Sequence, residues 1–247
     1  MESDDEPITL SAHALAALSE FKQEEKQRID RFESLKKASE DRFDEQQGQK
    51  AHQQAIAISI DDFQEDWQLS QFWYSDETAE ILGKALLEGA DANTVVVIAS
   101  APSVYAAIKR FPPEEIPTKH IYVLEYDKRF AVLGGDNFSF YDYNEPNNIP
   151  IHLKNKCHRL LIDPPFLEEE CQTKSAQAAR NLLIKDCKEN PQFRLISSTG
   201  ERMRDVVKKN YPETKLTTFY PEHKNGLSNE FRCYASFESP YWKFEQN

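Results

Sequence analysis

The stretch Arg159-Leu160-Leu161-Ile162-Asp163-Pro164-Pro165-Phe166 joins a short apolar run to a carboxylate, two prolines and an aromatic ring. The apolar run predicts a buried strand, and the prolines predict a stiff turn directly after it. Because proline donates no backbone N–H, the carbonyl groups of such a turn are free to accept hydrogen bonds. A carboxylate and a free carbonyl held side by side are suited to gripping an amine.

Around this turn, short apolar runs alternate with helical stretches from about residue 56 onward, which is typical of an α/β domain. We predict five strands at 94–99, 121–125, 138–141, 159–162 and 194–198, and a closing antiparallel pair at 214–220 and 231–237. Helices are predicted from the N-cap Ser75 to about residue 88 and over 103–110, 168–188 and 203–209. This order favours a parallel sheet with an antiparallel edge.

The N-terminal segment differs in composition from the rest of the chain. Residues 11 to about 50 contain no proline and one glycine, and their composition strongly favours a helix. Charged residues interrupt its apolar seam, so we expect a solvated or loosely docked helix, with a partner-binding helix as the alternative. We therefore divide the chain into an acidic tail and long charged helix at 1–55 and a main domain at 56–247.

Charge narrows the class of partner. The formal net charge is -12; residues 1–50 hold 8 basic and 13 acidic side chains, and the remainder holds 22 and 29. Nucleic-acid binding requires Lys and Arg to neutralise phosphates, so we expect no direct nucleic-acid partner and favour a basic protein surface.

Cysteine spacing and hydropathy indicate the compartment. The four cysteines are widely spaced and show no metal-ligand pattern, so we expect reduced thiols and no metal. The chain starts without the features of a secretory signal, and its longest apolar stretches have only strand length. We therefore expect a cytoplasmic protein with no membrane segment, and we take a monomer as the default while the oligomeric state stays open.

In open parallel sheets the ligand lies beyond the carboxyl ends of the strands. The first strand is followed by Ser100-Ala101-Pro102-Ser103, small residues that let a ligand approach a helix start, with a compact strand-to-helix connection as the alternative. A glycine-rich nucleotide loop is absent. The second strand ends in Glu125, whose carboxylate can accept both hydroxyls of a ribose or form a salt bridge within its loop. The third leads to Asp142-Tyr143, where a carboxylate can accept from the amine of adenine and a ring can pack on the base.

The turn after the fourth strand carries the chemistry. Methyl transfer from a sulfonium needs an amine lone pair in line with the methyl carbon, and two acceptors that hold the N–H groups aim that lone pair. The Asp163 carboxylate and the Pro164 carbonyl can be these acceptors, and Phe166 offers a ring face to a developing ammonium or a flat base. The alternative is a rigid turn with a core phenylalanine. For a lysine, with a pKa near ~10.4, Asp163 is a poor base, so we expect deprotonation to solvent, aided by desolvation beside Phe166 and Trp73.

Several segments together closely resemble one family: Gln68–Ser75, Ser100–Tyr105, Leu124–Phe130, Phe140–Asn144, Asp163–Phe166 and Asn229–Tyr234. The family is the elongation factor 1-alpha lysine methyltransferases, once grouped with N6-adenine DNA methyltransferases, and the resemblance covers roughly residues 60 to 240. It implies a seven-stranded Rossmann-like methyltransferase sheet with an N-terminal helical extension. It also implies S-adenosyl-L-methionine as the methyl donor and translation elongation factor 1-alpha as the protein substrate.

The resemblance assigns roles to individual residues. The expected cofactor-binding residues are Ser100, Ala101, Pro102, Ser103, Glu125, Tyr126, Asp142 and Tyr143. The expected catalytic residues are Asp163, Pro164 and Phe166. Substrate binding is expected from Gln71, Trp73, Tyr74 and Pro165, the first three as a cap before the first strand, with core packing as the alternative for Trp73.

Two other functions stay open. An N6-adenine methyltransferase shares the Asp163 turn, although it must grip a phosphate backbone and flip a base, which requires a basic groove. A non-catalytic module with the same fold is the second alternative, and the intact Asp163 argues against it.

Overall fold

A computed structural model describes residues 22, 23, 26, 30, 60–63, 65, 71–227 and 230–246 of the chain. The chain divides into two compact units, Met1–Gln53 and Gln54–Asn247. The described residues of the first unit are helical and exposed: Lys22, Gln23, Lys26 and Asp30. The rest of the helix predicted over 11–50 lies outside the described residues, so its extent and role stay predictions, as does the division at residue 55.

Seven strands form one sheet in the described part of the second unit: β1 (Val96–Ala99), β2 (Ile121–Glu125), β3 (Phe138–Phe140), β4 (Arg159–Ile162), β5 (Arg194–Gly200), β6 (Lys215–Leu216) and β7 (Phe231–Ala235). Their order is β3-β2-β1-β4-β5-β7-β6. Strands β1 to β5 pair in parallel, and β7 is antiparallel to both of its neighbours. The predicted parallel sheet with an antiparallel edge is confirmed.

The helices pack against this sheet: α1 (Asp76–Leu87), α2 (Pro102–Lys109), α3 (Ala131–Gly134), α4 (Glu169–Leu182) and α5 (Arg204–Asn210). Ser75 is the N-cap of α1, as predicted, and its hydroxyl accepts a hydrogen bond from the Thr78 N–H at 3.2 Å. None of the helices in the described ranges is both long and apolar enough to cross a bilayer. All four cysteines are free thiols.

Two predicted elements are shorter than their composition indicates. Helix α4 ends at Leu182 rather than near residue 188, because Leu183 becomes extended and bridges Cys157. Strand β6 stops at Leu216 rather than residue 220, because Thr218 donates its N–H to Lys243 O at 2.9 Å instead of continuing along β7. In both places a segment distant in sequence takes over the backbone hydrogen bonds.

Strands β1 and β4 lie at the centre of the sheet, and all of their residues are buried. Their register pairs Ala99 with Leu124 on one side and with Ile162 on the other. The residues that end or follow these strands, Ser100, Glu125 and Asp163, therefore meet at one edge of the sheet, which is where an open parallel sheet binds its ligands.

Candidate active site

A cavity of about 650 Å³ opens at this edge of the sheet, a size typical of sites that enclose a small molecule. Its wall contains every residue of the predicted site except Tyr74: Gln71, Trp73, Ser100, Ala101, Pro102, Ser103, Glu125, Tyr126, Asp142, Tyr143, Asp163, Pro164, Pro165 and Phe166. The wall also includes residues to which the sequence analysis gave no role, among them Arg202, His223, Leu227 and Phe231.

The loop after β1 contains a serine, Ser100, in a strained backbone conformation that usually requires glycine. Ser100 has a φ of 59°, in the left-handed region that non-glycine residues seldom adopt. Its N–H donates to Leu124 O at 2.9 Å, which ties the strained residue to β2. Pro102 then begins α2, and Ala101 provides no side-chain cap for the first N–H groups of that helix. The loop therefore takes the sharp turn that glycine would allow, and the start of α2 faces the cavity.

Glu125 is a buried carboxylate with one oxygen already bound. Its Oε1 accepts the N–H groups of Tyr126 at 3.0 Å and of Asp127 at 3.2 Å. Burial raises the pKa of Glu125 to about 7, and these backbone hydrogen bonds oppose that rise only in part. A side-chain hydrogen bond from Gln71 also lowers the pKa of Glu125 slightly. A buried carboxylate fixed in this way suits a ribose hydroxyl.

Gln71 supports this side of the cavity. Its Nε2 donates to Asp127 Oδ2 at 3.1 Å, and its Oε1 accepts from Arg129 Nη2 at 3.3 Å. Gln71 is thereby fixed beside the loop that follows Glu125. The sequence analysis assigned Gln71 to the substrate, whereas its contacts place it next to the predicted ribose position.

Asp142 and Tyr143 line the cavity after β3, the strand next to β2. Asp142 Oδ1 accepts the N–H of Asn144 at 2.8 Å, which fixes the carboxylate in the turn after β3. The Tyr143 ring meets Phe166 edge to face, with centroids 5.7 Å apart. Two aromatic rings thus converge where the predicted adenine and amine positions adjoin.

Asp163 lies at the base of the cavity, directly after β4. Its Oδ2 is 2.6 Å from the Tyr74 hydroxyl, which is itself 2.7 Å from Ser198 Oγ. Burial is the main cause that raises the pKa of Asp163 to about 8; the Tyr74 hydrogen bond lowers it and the charge of Glu125 raises it further. In the part of the chain that the structure describes, the Pro164 carbonyl accepts no backbone N–H, so it is available as the second acceptor of the predicted pair.

Trp73 is anchored below the cavity and contributes little free surface to it. Its Nε1 donates to Phe63 O at 3.0 Å, and its ring meets Phe130 edge to face at 5.5 Å. Only 5% of Trp73 is exposed. These contacts favour the packing alternative and leave a small part of the ring in the cavity wall.

His223 and Phe231 line the cavity next to Tyr74. The His223 ring lies 4.8 Å from Tyr74 and 4.5 Å from Phe231, measured between centroids. Burial lowers the pKa of His223 to about 4, so the imidazole is neutral at pH 7. The result is an uncharged, largely aromatic wall. A single histidine distant in sequence gave no signal for it, since its position depends on the connection between β6 and β7.

The structure gives no support for a metal centre. Among the residues that the structure describes, no three His, Cys, Asp or Glu side chains are grouped as ligands for one ion.

The sheet order and the cavity at its carboxyl edge define the Rossmann-like methyltransferase fold. Residues 65–239 match a family described as Probable N6-adenine methyltransferase. The chain is 57% identical over 242 residues to Protein-lysine N-methyltransferase EFM5 of Saccharomyces cerevisiae, which covers 96% of this chain and 94% of that protein. It is 36% identical over 241 residues to EEF1A lysine methyltransferase 1 of Gallus gallus, covering 97% and 99%. The chain belongs to the EEF1A lysine methyltransferase family.

A solved structure agrees with the fold. The branched-chain polyamine synthase of Thermus thermophilus, solved with N4-aminopropylspermidine and 5'-methylthioadenosine, superposes with a TM-score of 0.50. The match has 12% sequence identity and covers 75% of this chain and 62% of that chain. At this identity the likeness supports the fold alone.

Proposed function

We propose that this protein transfers a methyl group from S-adenosyl-L-methionine to a lysine side chain of translation elongation factor 1-alpha. One observation carries the proposal: Asp163 and the Pro164 carbonyl lie at the base of a cavity that also contains Glu125. The names of relatives that match almost the whole chain supply the substrate class.

The donor set of the cavity fits the cofactor. Glu125 would accept hydrogen bonds from the ribose hydroxyls, Asp142 would accept from the adenine amine, and Tyr143 would pack on the base. The N–H groups at the start of α2, next to the strained Ser100, would hold the carboxylate of the methionine part. When bound, the cofactor supplies a methyl group attached to a positively charged sulfur.

The remaining surface fits a lysine. Asp163 Oδ1 and the Pro164 carbonyl each accept one N–H of the amine, which turns its lone pair toward the methyl group. Phe166 places a ring face beside the developing ammonium, and Pro165 lies beside it in the same wall. The neutral rings of His223 and Phe231 line the same cavity, so the methylene stem of a lysine packs against aromatic surfaces.

Charge separates the lysine substrate from adenine. In the described part of the cavity wall, Arg202 is the only Lys or Arg side chain. A nucleic acid requires several cations along its backbone, and each is an independent electrostatic contact. The family description that refers to N6-adenine methylation therefore supplies the second candidate, and the electrostatics favour the first.

A transfer assay tests the proposal. Purified protein is incubated with labelled S-adenosyl-L-methionine and either elongation factor 1-alpha, duplex DNA or RNA. We expect label in the elongation factor, on a lysine, and a loss of at least about a hundredfold in Asp163→Ala, as for a group that orients the nucleophile. The matched control is Asp205→Asn, an exposed carboxylate on α5, which keeps parental activity. Label that nuclease releases from DNA or RNA would instead establish the adenine activity.

A binding measurement tests the non-catalytic alternative. A ligand that binds only the native state raises the melting temperature. We expect S-adenosyl-L-methionine to stabilise the parent protein, and a protein with no such response would be a binding module without the donor. A cytoplasmic location and a monomeric state belong to the same proposal, because the charge and composition of the chain favour them; cell fractionation and light scattering test them.

A further inference from the structure

Tyr74 joins two strands beneath the cavity. It precedes α1, whereas Asp163 follows β4 and Ser198 lies within β5. The Tyr74 hydroxyl is 2.6 Å from Asp163 Oδ2 and 2.7 Å from Ser198 Oγ. Tyr74 and Ser198 are 1% and 0% exposed, so water does not replace either hydrogen bond.

The hydrogen bonds that link Asp163, Tyr74 and Ser198 have a defined donor and acceptor at each step. A tyrosine hydroxyl has one proton, and an ionised carboxylate only accepts. When Asp163 is ionised, Tyr74 donates to Oδ2 and Ser198 donates to the phenol oxygen. When Oδ2 carries a proton, the direction reverses and Tyr74 donates to Ser198. In the ionised state Oδ2 is satisfied, and Oδ1 is the oxygen left for the target amine.

The backbone around Tyr74 holds its ring in place. Tyr74 forms an antiparallel bridge with His223. On either side, Lys224 N donates to Trp73 O at 2.9 Å and Ser75 N donates to Glu222 O at 2.8 Å. The phenol is therefore fixed from both its backbone and its hydroxyl, which is the arrangement expected of a group that orients another side chain.

We propose that Tyr74, with Ser198 behind it, is a positioning residue that holds Asp163 in one rotamer and reserves its Oδ1 for the target amine. The inference rests on the proposed function, because it concerns how Asp163 meets its substrate. Neither Tyr74 nor Ser198 touches the amine; both act through Asp163.

The titratable groups facing Asp163 and Tyr74 are Glu125 of β2, Cys171 of α4, Cys233 of β7 and His223. Burial lowers the pKa of His223 to about 4 and raises the pKa of Cys171 to about 11 and of Cys233 to about 12. Burial also raises the pKa of Tyr74 well above its ordinary value. Within this group, Asp163 and Glu125 are the side chains that change charge between pH 6 and 9.

Three variants test the proposal. Tyr74→Phe removes the hydroxyl and keeps the ring. Ser198→Ala removes the second hydroxyl and serves if Tyr74→Phe fails to fold. Ser197→Ala is the matched control, because Ser197 is the buried neighbour on β5 and its hydroxyl has no partner among the described residues.

Two measurements are made on each variant. Loss of a hydrogen bond to an ionised group raises the Asp163 pKa by roughly one unit. In carboxyl 13C spectra, with the Asp163 signal assigned by its absence in Asp163→Asn, the midpoint therefore moves up in Tyr74→Phe and less in Ser198→Ala. In kinetics, the ratio of parental to Tyr74→Phe kcat/KM is about tenfold at pH 7 and closes toward pH 10, because the ionised fraction of Asp163 sets the difference.

Each outcome has a definite meaning. Folded Tyr74→Phe and Ser198→Ala proteins with the parental 13C midpoint and the parental pH profile would overturn the positioning role. A uniform loss of activity at all pH values, with the midpoint unmoved, would also overturn it, because that result indicates a merely structural residue. If the parent transfers no methyl group to protein, the proposed function fails, whereas the 13C titration still decides whether Tyr74 acts on Asp163.

Discussion

Glu125 and Asp163 are two buried carboxyl groups that share one cavity, and the charge of Glu125 raises the pKa of Asp163 in addition to the effect of burial. Their pKa values are about 7 and about 8. Two like charges in one poorly solvated space oppose each other, so the protein without ligands favours the protonated forms. A cation that enters the cavity reverses this preference.

Stability of the ligand-free protein falls as pH rises. Both carboxyl groups have folded-state pKa values above their unfolded values near about 4, so the native state binds more protons between these limits. The free energy of unfolding therefore decreases as the pH rises from about 5 to about 8. Above that range these two groups cause no further change. We expect the melting temperature to drop by several degrees over this interval and the drop to be clearly smaller in Asp163→Asn. Equal slopes for parent and variant, measured by calorimetry, would contradict this assignment.

Affinity for the cofactor depends on pH, and affinity for its demethylated product depends on it less. S-adenosyl-L-methionine carries a positive sulfur and S-adenosylhomocysteine does not, so only the first gains from ionised Glu125 and Asp163. We expect the ratio of the two Kd values to change in favour of the sulfonium by about tenfold between pH 6 and 9, which corresponds to ~1.4 kcal/mol. Titration calorimetry measures both constants. The Asp205→Asn control keeps the parental change and Asp163→Asn reduces it, whereas a constant ratio would show that the carboxylates do not act on the sulfur.

The strained Ser100 predicts an asymmetric response to substitution. Glycine adopts a φ of 59° without steric cost, whereas a β-branched residue is strongly disfavoured there. We expect Ser100→Gly to change the free energy of unfolding by less than about 1 kcal/mol and to keep cofactor binding, while Ser100→Val loses about 1–3 kcal/mol. Urea unfolding measures both. Ser103 lies inside α2, so the same two changes there have the opposite order of effect: Ser103→Gly destabilises the protein more than Ser103→Val, because glycine is the poorer helix residue.

Arg159 predicts a large effect on stability at a site remote from the chemistry. This buried guanidinium at the start of β4 donates to the Leu86 carbonyl, to the Glu88 carbonyl at 2.8 Å and to Gln192 Oε1 at 2.7 Å. Arg159→Met leaves these buried acceptors without a donor, and we expect a loss of about 3 kcal/mol or more in urea unfolding. Arg110→Met, which removes a more exposed contact to Asp76 at 3.3 Å, is the control, with an expected loss below about 1 kcal/mol. Similar losses for both variants would show that Arg159 does not hold the end of α1.

The strand ends could be predicted from the sequence because parallel strands bring their carboxyl ends to one edge. The sequence therefore predicts that Glu125, Asp142 and Asp163 lie together, and the cavity wall contains all three. Element type was predictable because burial on both faces requires unbroken apolar runs such as β1. Element ends were less predictable: α4 and β6 both end where distant segments take their hydrogen bonds.

Other features of the site depend on distances that no local pattern encodes. Ser198 meets Tyr74 across more than one hundred residues, and His223 reaches the cavity through the connection between β6 and β7. The φ of Ser100 was hidden because its usual signal, a glycine, is missing. The raised pKa of Asp163 was also hidden, because the composition of a turn does not report how its carboxyl group is buried. The raised value reduces the difference in pKa between Asp163 and a lysine ammonium. That difference is the reason for expecting deprotonation by solvent.

Backbone contacts between Glu222–Lys224 and Trp73–Ser75 bring the C-terminal part of the chain to the cavity. The cavity wall is therefore built from two separate parts of the sequence. Every wall residue assigned to the cofactor precedes Asp163, whereas His223, Leu227 and Phe231 come from the last tenth of the chain. We infer that the connection between β6 and β7 contacts the target, whereas the residues that follow β1 to β3 hold the methyl donor. Exchanging residues 221–231 between relatives is thus a route to redirect the enzyme to a new target while leaving its donor chemistry intact.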